Sequence, residues 1–224
     1  MRLRNAMTVL GLVATFAAAG YSSTALAAPI TSASSSVETL KTFDGDYGVT
    51  QDSGFSLPAI PIQKVKPGFR RQIISYQTTE APGTIIVNTR ERHLYYVMPD
   101  GQAMRYGISV GKAGFAWSGN AYVAWKQEWP NWHPPKEMAE RRPEIAKFVE
   151  GGMNPGLENP LGARAMYLYN DKGQDTLFRL HGTPEWASIG TAASSGCIRL
   201  INQDVIDLYS RVLPGHTTKV VVIQ

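Results

Sequence analysis

The sequence predicts a mostly β fold with one or two short helices. Short segments rich in β-branched and aromatic residues recur from residue 71 to the end of the chain, and turns containing glycine separate them, as in antiparallel sheets. Only one segment repeats its apolar residues at helical spacing over several turns; we expect Asn202 to cap it and Pro214 to stop it. A second, short helix is expected between Pro135 and Val149.

Eight segments of five to nine residues are expected to form strands. The turn at Asp100-Gly101 joins two of them in a hairpin, and those before residue 127 follow one another closely enough to form a β-meander. The predicted strands are residues 71–76, 84–88, 93–98, 102–110, 121–126, 164–169, 176–181 and 219–223.

The first 27 residues have the pattern of a secretory signal peptide. Arg2 and Arg4 precede an uncharged apolar run at 7–20, and Ala25-Leu26-Ala27 fits the small-x-small rule for cleavage. A retained membrane anchor is the alternative, but this run is shorter than the roughly 20 residues that span a bilayer. We therefore expect an exported protein, cleaved near Ala27, with no stable membrane insertion afterwards.

The rest of the chain is expected to form one domain behind a polar arm. Residues 28–68 are rich in Ser, Thr, Gly and Pro and predict a linker or loosely ordered N-terminal arm. Residues 69–224 carry the predicted strands and are long enough to bury a core. Without residues 1–27 the formal net charge falls from +4 to +2, because two arginines and no acids are lost. So small a charge argues against nucleic acid as a partner.

The chain contains a single cysteine, Cys197, so no disulfide can form within it. An exported protein that keeps a lone thiol in an oxidising space usually has a use for it. A buried core cysteine is the alternative, because free cysteine is among the most buried residue types. The residues around Cys197 decide between the two.

Cys197 follows a turn of small residues, and His181 ends a predicted strand 16 positions earlier. The thiolate is the reactive form of cysteine, and a histidine within hydrogen-bond reach can take the thiol proton. Gly196 lets a substrate carbonyl approach the backbone, where the amides of Gly196 and Cys197 can stabilise an oxyanion. Arg199 should face the same way as Cys197 and hold a carboxylate or raise the positive potential. These residues predict a cysteine nucleophile served by a histidine base.

A longer motif surrounds these residues. It comprises His181-Gly182-Thr183, Ile189-Gly190 and residues 194–200, with further matching segments at 82–87, 94–95, 106–111, 159–164 and 204–209. This pattern resembles the signature of the L,D-transpeptidase catalytic domain, the YkuD-type family, over about residues 70–224. The insertion at 117–135 is similar to that of a proteobacterial branch of the family.

The resemblance implies a fold, a reaction and roles for the site residues. The fold would be an L,D-transpeptidase-type β-sandwich. Cys197 would be acylated by a peptidoglycan stem tetrapeptide at the carbonyl before its terminal D-alanine, with His181 as base and then acid. The Gly182 carbonyl would orient His181, and transfer to the amine of a second stem peptide would give a 3→3 cross-link. Together with the signal peptide, the resemblance implies a periplasmic location; it also implies acylation by carbapenems and no metal or organic cofactor.

Ser195 departs from the family pattern, which often has histidine two residues before the cysteine. We expect Ser195 either to donate a hydrogen bond to the site or to serve only as a turn residue. Four aromatic residues are candidate substrate contacts, and two of them lie in an irregular, proline-rich insertion of the kind that forms binding surfaces or ordinary packed loops. They are Trp129, Trp132, Tyr167 and Trp186.

The sequence leaves two other functions open. The same acyl-enzyme could pass its acyl group to water, as an L,D-carboxypeptidase, or to a lysine of an outer-membrane protein, which would attach that protein to peptidoglycan. A non-catalytic module that binds the cell wall is the second alternative, and the aromatic insertion suggests it.

Two hydrolase mechanisms have weaker support. A zinc amidase would recruit Cys197 with His133, His181 and His216, but no pair of these has metal-ligand spacing such as His-x-x-x-His. A serine hydrolase built on Ser194 would lack the leading glycine of a nucleophile elbow.

Overall fold

The strands of the fold are short and most pair antiparallel. The computed structural model describes residues 39–111, 118–194 and 196–224. Each of the eight predicted segments overlaps a strand, so the predicted strand content is confirmed. The strands in these ranges are β1 (Thr39–Thr42), β2 (Thr50–Asp52), β3 (Phe55–Leu57), β4 (Gln72–Ser75), β5 (Ile85–Asn88), β6 (His93–Met98), β7 (Gln102–Gly107), β8 (Val110–Gly111), β9 (Gly119–Glu128), β10 (Arg164–Tyr169), β11 (Asp175–Thr183), β12 (Ala192–Ser194), β13 (Ile198–Ile201) and β14 (Lys219–Ile223).

Ten of these strands join into one sheet in the order β1-β4-β7-β6-β5-β14-β9-β10-β11-β13. β5, β6 and β7 pair in sequence order as antiparallel neighbours and form the predicted meander. The meander ends there, because β9 pairs instead with β14 and β10. In the described part of this sheet β14 pairs parallel with β5, and β11 pairs parallel with β13; the second of these pairs carries the candidate site.

The sheet curls over so that its two halves share one core. β7 and β13 stand far apart in the strand order, yet Ser109, just after β7, exchanges two backbone hydrogen bonds with Arg199 of β13 (N···O 3.0 and 2.9 Å). Side chains at alternate positions of both halves point inward and pack together. The predicted mostly β sandwich is therefore confirmed, formed from a single curled sheet. Its buried core includes Ile85, Leu94, Met104, Tyr106, Ile108, Met166, Leu168, Leu180 and Leu200.

One amphipathic helix, α3 (Asn202–Arg211), packs its apolar face on this core. It confirms the predicted helix but not the predicted cap. Asn202 is the first helical residue, and Ile201 occupies the N-cap without a side-chain hydrogen bond. The prediction is wrong because the buried Asn202 Oδ1 accepts a hydrogen bond from the backbone N–H of Ala163 (3.0 Å), which fixes the loop before β10 instead.

The second predicted helix, between residues 135 and 149, is divided in two. It consists of α1 (Lys136–Arg141) and α2 (Phe148–Gly151), with a 3-10 turn at Pro143–Ile145 between them. A proline restricts the residue before it, and Arg142 accordingly leaves the helical region, with φ −142° and ψ 79°. The break therefore follows from the proline.

The described part of the predicted arm, residues 39–68, packs on the domain. β1 pairs with β4 at the edge of the sheet, and Tyr47 is 2% exposed. Asp52 accepts hydrogen bonds from both terminal nitrogens of Arg164 and from Trp129 Nε1, all at 2.7 Å. We therefore correct the expectation of a loose linker for residues 39–68: a few long-range contacts that composition does not reveal hold this part in place. The domain boundary at residue 69 stays a prediction.

A network of buried polar side chains lies between this segment and α3. The fully buried Asp204 accepts a hydrogen bond from the Tyr47 hydroxyl (3.1 Å), and that hydroxyl accepts one from the backbone N–H of Arg71 (2.7 Å). The Arg71 guanidinium forms ion pairs with Asp204, with Asp207 (3.2 Å) and with Asp46. Burial raises the pKa of Asp204 to about 7, against the opposing charge of Arg71.

We expect Asp204→Asn to remove a pH-dependent part of the stability. Because the pKa of Asp204 lies at about 7 in the folded protein and near 3.8 in the unfolded chain, its protonation favours folding below about pH 4. This contribution is lost as pH rises through about 7. Arg71 keeps Asp46 and Asp207 as partners in the variant, so the network need not collapse. Urea unfolding at pH 5 and pH 8 should show a smaller loss of unfolding free energy with rising pH for the variant than for wild type; an equal or larger loss would contradict this assignment.

Residues 1–38, which include the predicted signal peptide and the start of the predicted arm, lie outside the described residues. Among the residues that the structure does describe, no helix is both long and apolar enough to span a membrane. Export and cleavage of the chain therefore stay predictions from the sequence.

Candidate active site

The parallel pairing of β11 with β13 brings His181 and Cys197 to one region of the sheet. Leu180 pairs with Ile198 in this register, so the preceding residues, Arg179 and Cys197, are neighbours across the two strands. A hydrogen bond from the Arg179 backbone to the Cys197 sulfur agrees with this position. Leu180 and Ile198 are buried in the core, so their neighbours along each strand face the opposite, outer side of the sheet. The pairing therefore places the predicted base and the predicted nucleophile on the same face.

His181 is a buried histidine whose orientation is fixed by the next residue of the chain. It is 4% exposed, and its Nδ1 lies 2.6 Å from the carbonyl oxygen of Gly182. A carbonyl oxygen only accepts hydrogen bonds, so Nδ1 carries the proton and the neutral ring offers Nε2 as acceptor. Burial lowers the pKa of His181 to about 4; the Gly182 carbonyl opposes this shift, and the charges of Arg199 and Arg179 add to it. The ring is therefore neutral at pH 7 and can take a proton at Nε2.

Cys197 is half-buried, and its surroundings act on the thiol in two directions. Burial raises the pKa of the thiol above its ordinary value, whereas Arg179, through its charge and its backbone, and Arg199 act to lower it. The thiol is consequently protonated at pH 7 in the resting site. A neutral thiol near a neutral imidazole suits proton transfer at the moment of attack rather than a permanent thiolate–imidazolium pair.

Two glycines of the site are required by the backbone. Gly196 has φ 125°, a conformation that residues with a side chain rarely adopt. Gly182 packs so closely that an added Cβ would lie 2.2 Å from Asn202 Oδ1. Glycine is therefore required at both positions for structural reasons, and Gly182 also provides the carbonyl that holds His181.

Arg199 lies beside His181 in the strand register and already holds a carboxylate. Its Nη1 donates to Glu185 Oε2 at 2.9 Å, although the Glu185 side chain is 68% exposed. Its buried Nε has no hydrogen-bond partner among the described residues. Arg199 thus supplies positive potential next to His181 and Cys197.

Tyr167, predicted as a substrate contact, lies in a row of side chains that leads to Cys197. The strand register pairs it with Trp125 on β9 and with Arg179 on β11. The Trp125 and Tyr167 rings are stacked with centroids 3.5 Å apart, and the Arg179 guanidinium lies 4.6 Å from the Tyr167 centroid. Sequence reasoning missed Trp125 and Arg179, because only strand pairing aligns them. The available signal was the place of Arg179 two positions before His181 on one strand.

Trp129 packs against the N-terminal hairpin. It is 6% exposed, its ring stacks on Phe55 with centroids 4.0 Å apart, and its Nε1–H is donated to Asp52. Little of its surface is left for a ligand. The structure therefore does not support the predicted role of Trp129 as a substrate contact. The sequence did not reveal this burial, because the hairpin that covers Trp129 comes from the part of the chain expected to be a loose arm.

The remaining predicted residues lie in other regions. Trp132 is in the insertion, with its ring centroid 6.2 Å from that of Phe148. Trp186 begins a short 3-10 turn after β11 and packs on a buried cluster under the N-terminal segment. Substrate contact by these two tryptophans stays a prediction. Ser195 lies outside the described residues, so the choice between turn residue and hydrogen-bond donor also stays open.

A cavity of about 390 Å³ borders the residues on either side of Cys197. Gly196, Ile198 and Phe178 line one wall, and Arg92 lies on another. A volume of this size is within the range of small-molecule sites. Phe178 and Ile198 face the core side of the sheet, so this cavity lies on the opposite side of the strands from the outer face that carries Cys197 and His181.

The zinc alternative finds no ligand cluster in the part of the chain that the structure describes. There, no three His, Cys, Asp or Glu side chains lie close enough together to hold a metal ion. His216 stacks on Tyr122, and His133 packs on Gly152 in the insertion, so neither joins His181. These positions do not favour a zinc amidase.

Comparison with known proteins gives the family. The family model YkuD, described as the L,D-transpeptidase catalytic domain, matches residues 82–223. The probable L,D-transpeptidase ErfK/SrfK of Escherichia coli strain K12 is 33% identical over 194 residues, covering 81% of this chain and 59% of that protein. The probable L,D-transpeptidase YcfS of the same strain is 31% identical over 170 residues, covering 74% and 49%. This chain thus spans about half to three-fifths of the length of these curated relatives.

One solved structure is more similar in sequence. It is from Brucella melitensis, bears the name of a probable carnitine operon oxidoreductase, and is 46% identical over 69% of this chain and 95% of that chain, with a TM-score of 0.48. A TM-score below 0.5 adds nothing to the fold assignment, which rests on the family model and on the strands themselves. Because that family model matches more than half of the sequence, the chain belongs to the L,D-transpeptidase catalytic domain family.

Proposed function

We propose that this protein is a periplasmic L,D-transpeptidase that forms 3→3 cross-links between peptidoglycan stem peptides through an acyl-enzyme on Cys197. The observation that carries the proposal is the parallel pairing of β11 with β13, which sets a histidine of fixed tautomer on the same face as a half-buried cysteine. Family membership supports the reaction class. The periplasmic location rests on the predicted signal peptide.

His181 is the base that activates Cys197. Its Nδ1–H is donated to the Gly182 carbonyl, so Nε2 takes the thiol proton. The thiolate formed in this step attacks the carbonyl carbon that precedes the terminal D-alanine of a stem tetrapeptide. The Gly182 carbonyl stabilises the resulting imidazolium, the role that a carboxylate has in other catalytic triads.

The tetrahedral intermediate then collapses to a thioester. The backbone amides of Gly196 and Cys197 stabilise its oxyanion, and Arg199 adds positive potential. His181 returns the proton to the nitrogen of the departing D-alanine. One C–N bond is broken and one C–S bond is formed, and no cofactor is needed.

The second half-reaction repeats these roles in reverse. The amine of a second stem peptide loses a proton to His181 Nε2 and attacks the thioester carbonyl. The C–S bond breaks, and Cys197 recovers its proton from His181. Tyr167 contacts the substrate in both steps, because it lies in the row of side chains that leads along the outer face to Cys197.

Two other outcomes share the acyl-enzyme and differ only in its acceptor. Water would make the protein an L,D-carboxypeptidase, and a lysine of an outer-membrane protein would attach that protein to peptidoglycan. A non-catalytic wall-binding module is less well supported, because binding alone does not require the His181–Gly182 hydrogen bond or the positive φ of Gly196.

Incubation of the purified mature chain with disaccharide-tetrapeptides tests the proposal. Liquid chromatography with mass spectrometry should detect released D-alanine and 3→3 dimers. Tripeptide without dimers would identify the carboxypeptidase instead. No release of D-alanine by a folded protein that still sediments with sacculi would overturn the proposal in favour of the binding module.

A further inference from the structure

Arg179 is held rigidly although it lies near the edge of the sheet. Its Nη1 and Nη2 donate to the two carboxylate oxygens of Asp175 at 2.7 and 2.8 Å, and Nη1 also donates to the Phe178 carbonyl at 2.9 Å. Its guanidinium lies over the Tyr167 ring, whose other neighbour is Trp125. A bidentate carboxylate and an aromatic face together fix a guanidinium in one orientation. The Arg179 charge therefore cannot move freely away from this place.

The place that Arg179 occupies is next to the Cys197 sulfur. The two residues directly precede Leu180 and Ile198, the first pair of β11 and β13, and the Arg179 backbone hydrogen-bonds to the sulfur. Tyr167, whose ring lies under the guanidinium, is on the same outer face of the sheet as Cys197. The Arg179 backbone thus borders the sulfur, while its guanidinium is held on the same outer face against Tyr167 and Asp175.

Few other charges face the thiol among the described residues. His181 is neutral at pH 7, and burial keeps the Tyr167 hydroxyl protonated by raising its pKa. Arg199 is the second cation, and it pairs with Glu185 as Arg179 pairs with Asp175. Burial raises the pKa of the thiol, and the opposing effect of Arg179 is larger than that of Arg199.

We propose that Arg179, clamped by Asp175 and Tyr167, is a positioning residue that stabilises the Cys197 thiolate as it forms. It touches neither the leaving group nor the acceptor, and it acts through the sulfur. The inference deepens the proposed function, on which its catalytic meaning rests, but the charge effect on the thiol can be measured without any peptide substrate. The contacts with Asp175 and Tyr167 also explain why a charged side chain lies beside aromatic residues near the nucleophile.

Alkylation of the thiol tests this inference directly, because Cys197 is the only cysteine in the chain. We expect the midpoint of the pH dependence of iodoacetamide alkylation to rise by about one unit in Arg179→Met, which is a roughly tenfold slower reaction below the midpoint. Arg179→Lys should recover most of the shift, because it keeps the charge. Arg142→Met is the matched control, since this exposed arginine also pairs with a carboxylate, that of Glu144. An unchanged or lower midpoint in folded Arg179→Met would overturn the inference.

Asp175→Asn provides a second variant with the opposite sign. It removes the negative partner while the Phe178 carbonyl and the Tyr167 ring still hold the guanidinium, so the alkylation midpoint should fall. A rise of the alkylation midpoint in Asp175→Asn would contradict the inference. This variant keeps the inference testable even if Arg179→Met fails to fold. If the wild type forms no 3→3 dimers but the two variants show their midpoint shifts, the proposed function is refuted and the role of Arg179 stands. If the wild type forms dimers but the variants show no midpoint shifts, the role of Arg179 is refuted and the proposed function stands.

Discussion

Cys197→Ala is expected to abolish transpeptidation, with D-alanine release from a stem tetrapeptide falling by at least about 10⁴-fold. The chain has no second cysteine that could carry the thioester. The remaining groups of the site can bind and polarise the substrate carbonyl but cannot form the covalent intermediate. Release of D-alanine, followed by mass spectrometry, measures the loss.

Cys197→Ser is the companion to this variant. Serine keeps the size and the hydrogen-bonding capacity of the side chain, but its hydroxyl is a far weaker nucleophile without a stronger base. Both variants should unfold cooperatively at a temperature close to that of wild type, since Cys197 is half-buried. If the alanine variant kept a tenth of the activity, the nucleophile would lie elsewhere, and the serine hydrolase based on Ser194 would return as an explanation.

His181→Gln is expected to lower the rate of acylation by roughly 10²–10⁴-fold. Glutamine can still donate to the Gly182 carbonyl, but it has no nitrogen that can take the thiol proton. His216→Gln is the matched control, because this histidine is exposed and stacks on Tyr122 away from the site; it should keep nearly full activity. Equal losses in the two variants would contradict the role of His181 as the base.

The pH dependence of the wild-type enzyme gives a second view of this base. Because the pKa of His181 is lowered to about 4, the ring is neutral and competent above that value and becomes protonated below it. The acid limb of kcat/KM should therefore fall near pH 4. A limb near pH 6.5 would indicate a solvated histidine and would not fit the buried ring.

Much of the fold could be predicted because its strands are local patterns. Alternating β-branched and aromatic residues between glycine-containing turns do not depend on distant parts of the chain, and the eight segments predicted from them overlap strands. The insertion of β14 between β5 and β9 and the bridge between Ser109 and Arg199 depend on residues far apart in sequence. Periodicity carries no information about such pairing.

The same limit explains what was missed around the candidate site. His181 and Cys197 could be found because their chemistry and the glycines beside them form a motif. Trp125 and Arg179 have no motif, and only the register of β9, β10 and β11 aligns them. The burial of Trp129 was missed for the same reason, because the hairpin that covers it comes from a polar segment more than 70 residues earlier, as its hydrogen bond to Asp52 shows.

Intact-mass spectrometry of the purified mature protein after incubation with a carbapenem tests the central proposal most directly, since it requires the nucleophile, its base and an accessible pocket together. Wild type should gain the mass of one carbapenem, and digestion should place the adduct on the peptide that contains Cys197. Cys197→Ala should gain none. A folded wild-type protein without an adduct, or an adduct that persists in Cys197→Ala, would contradict the assignment of Cys197 as the acylated nucleophile.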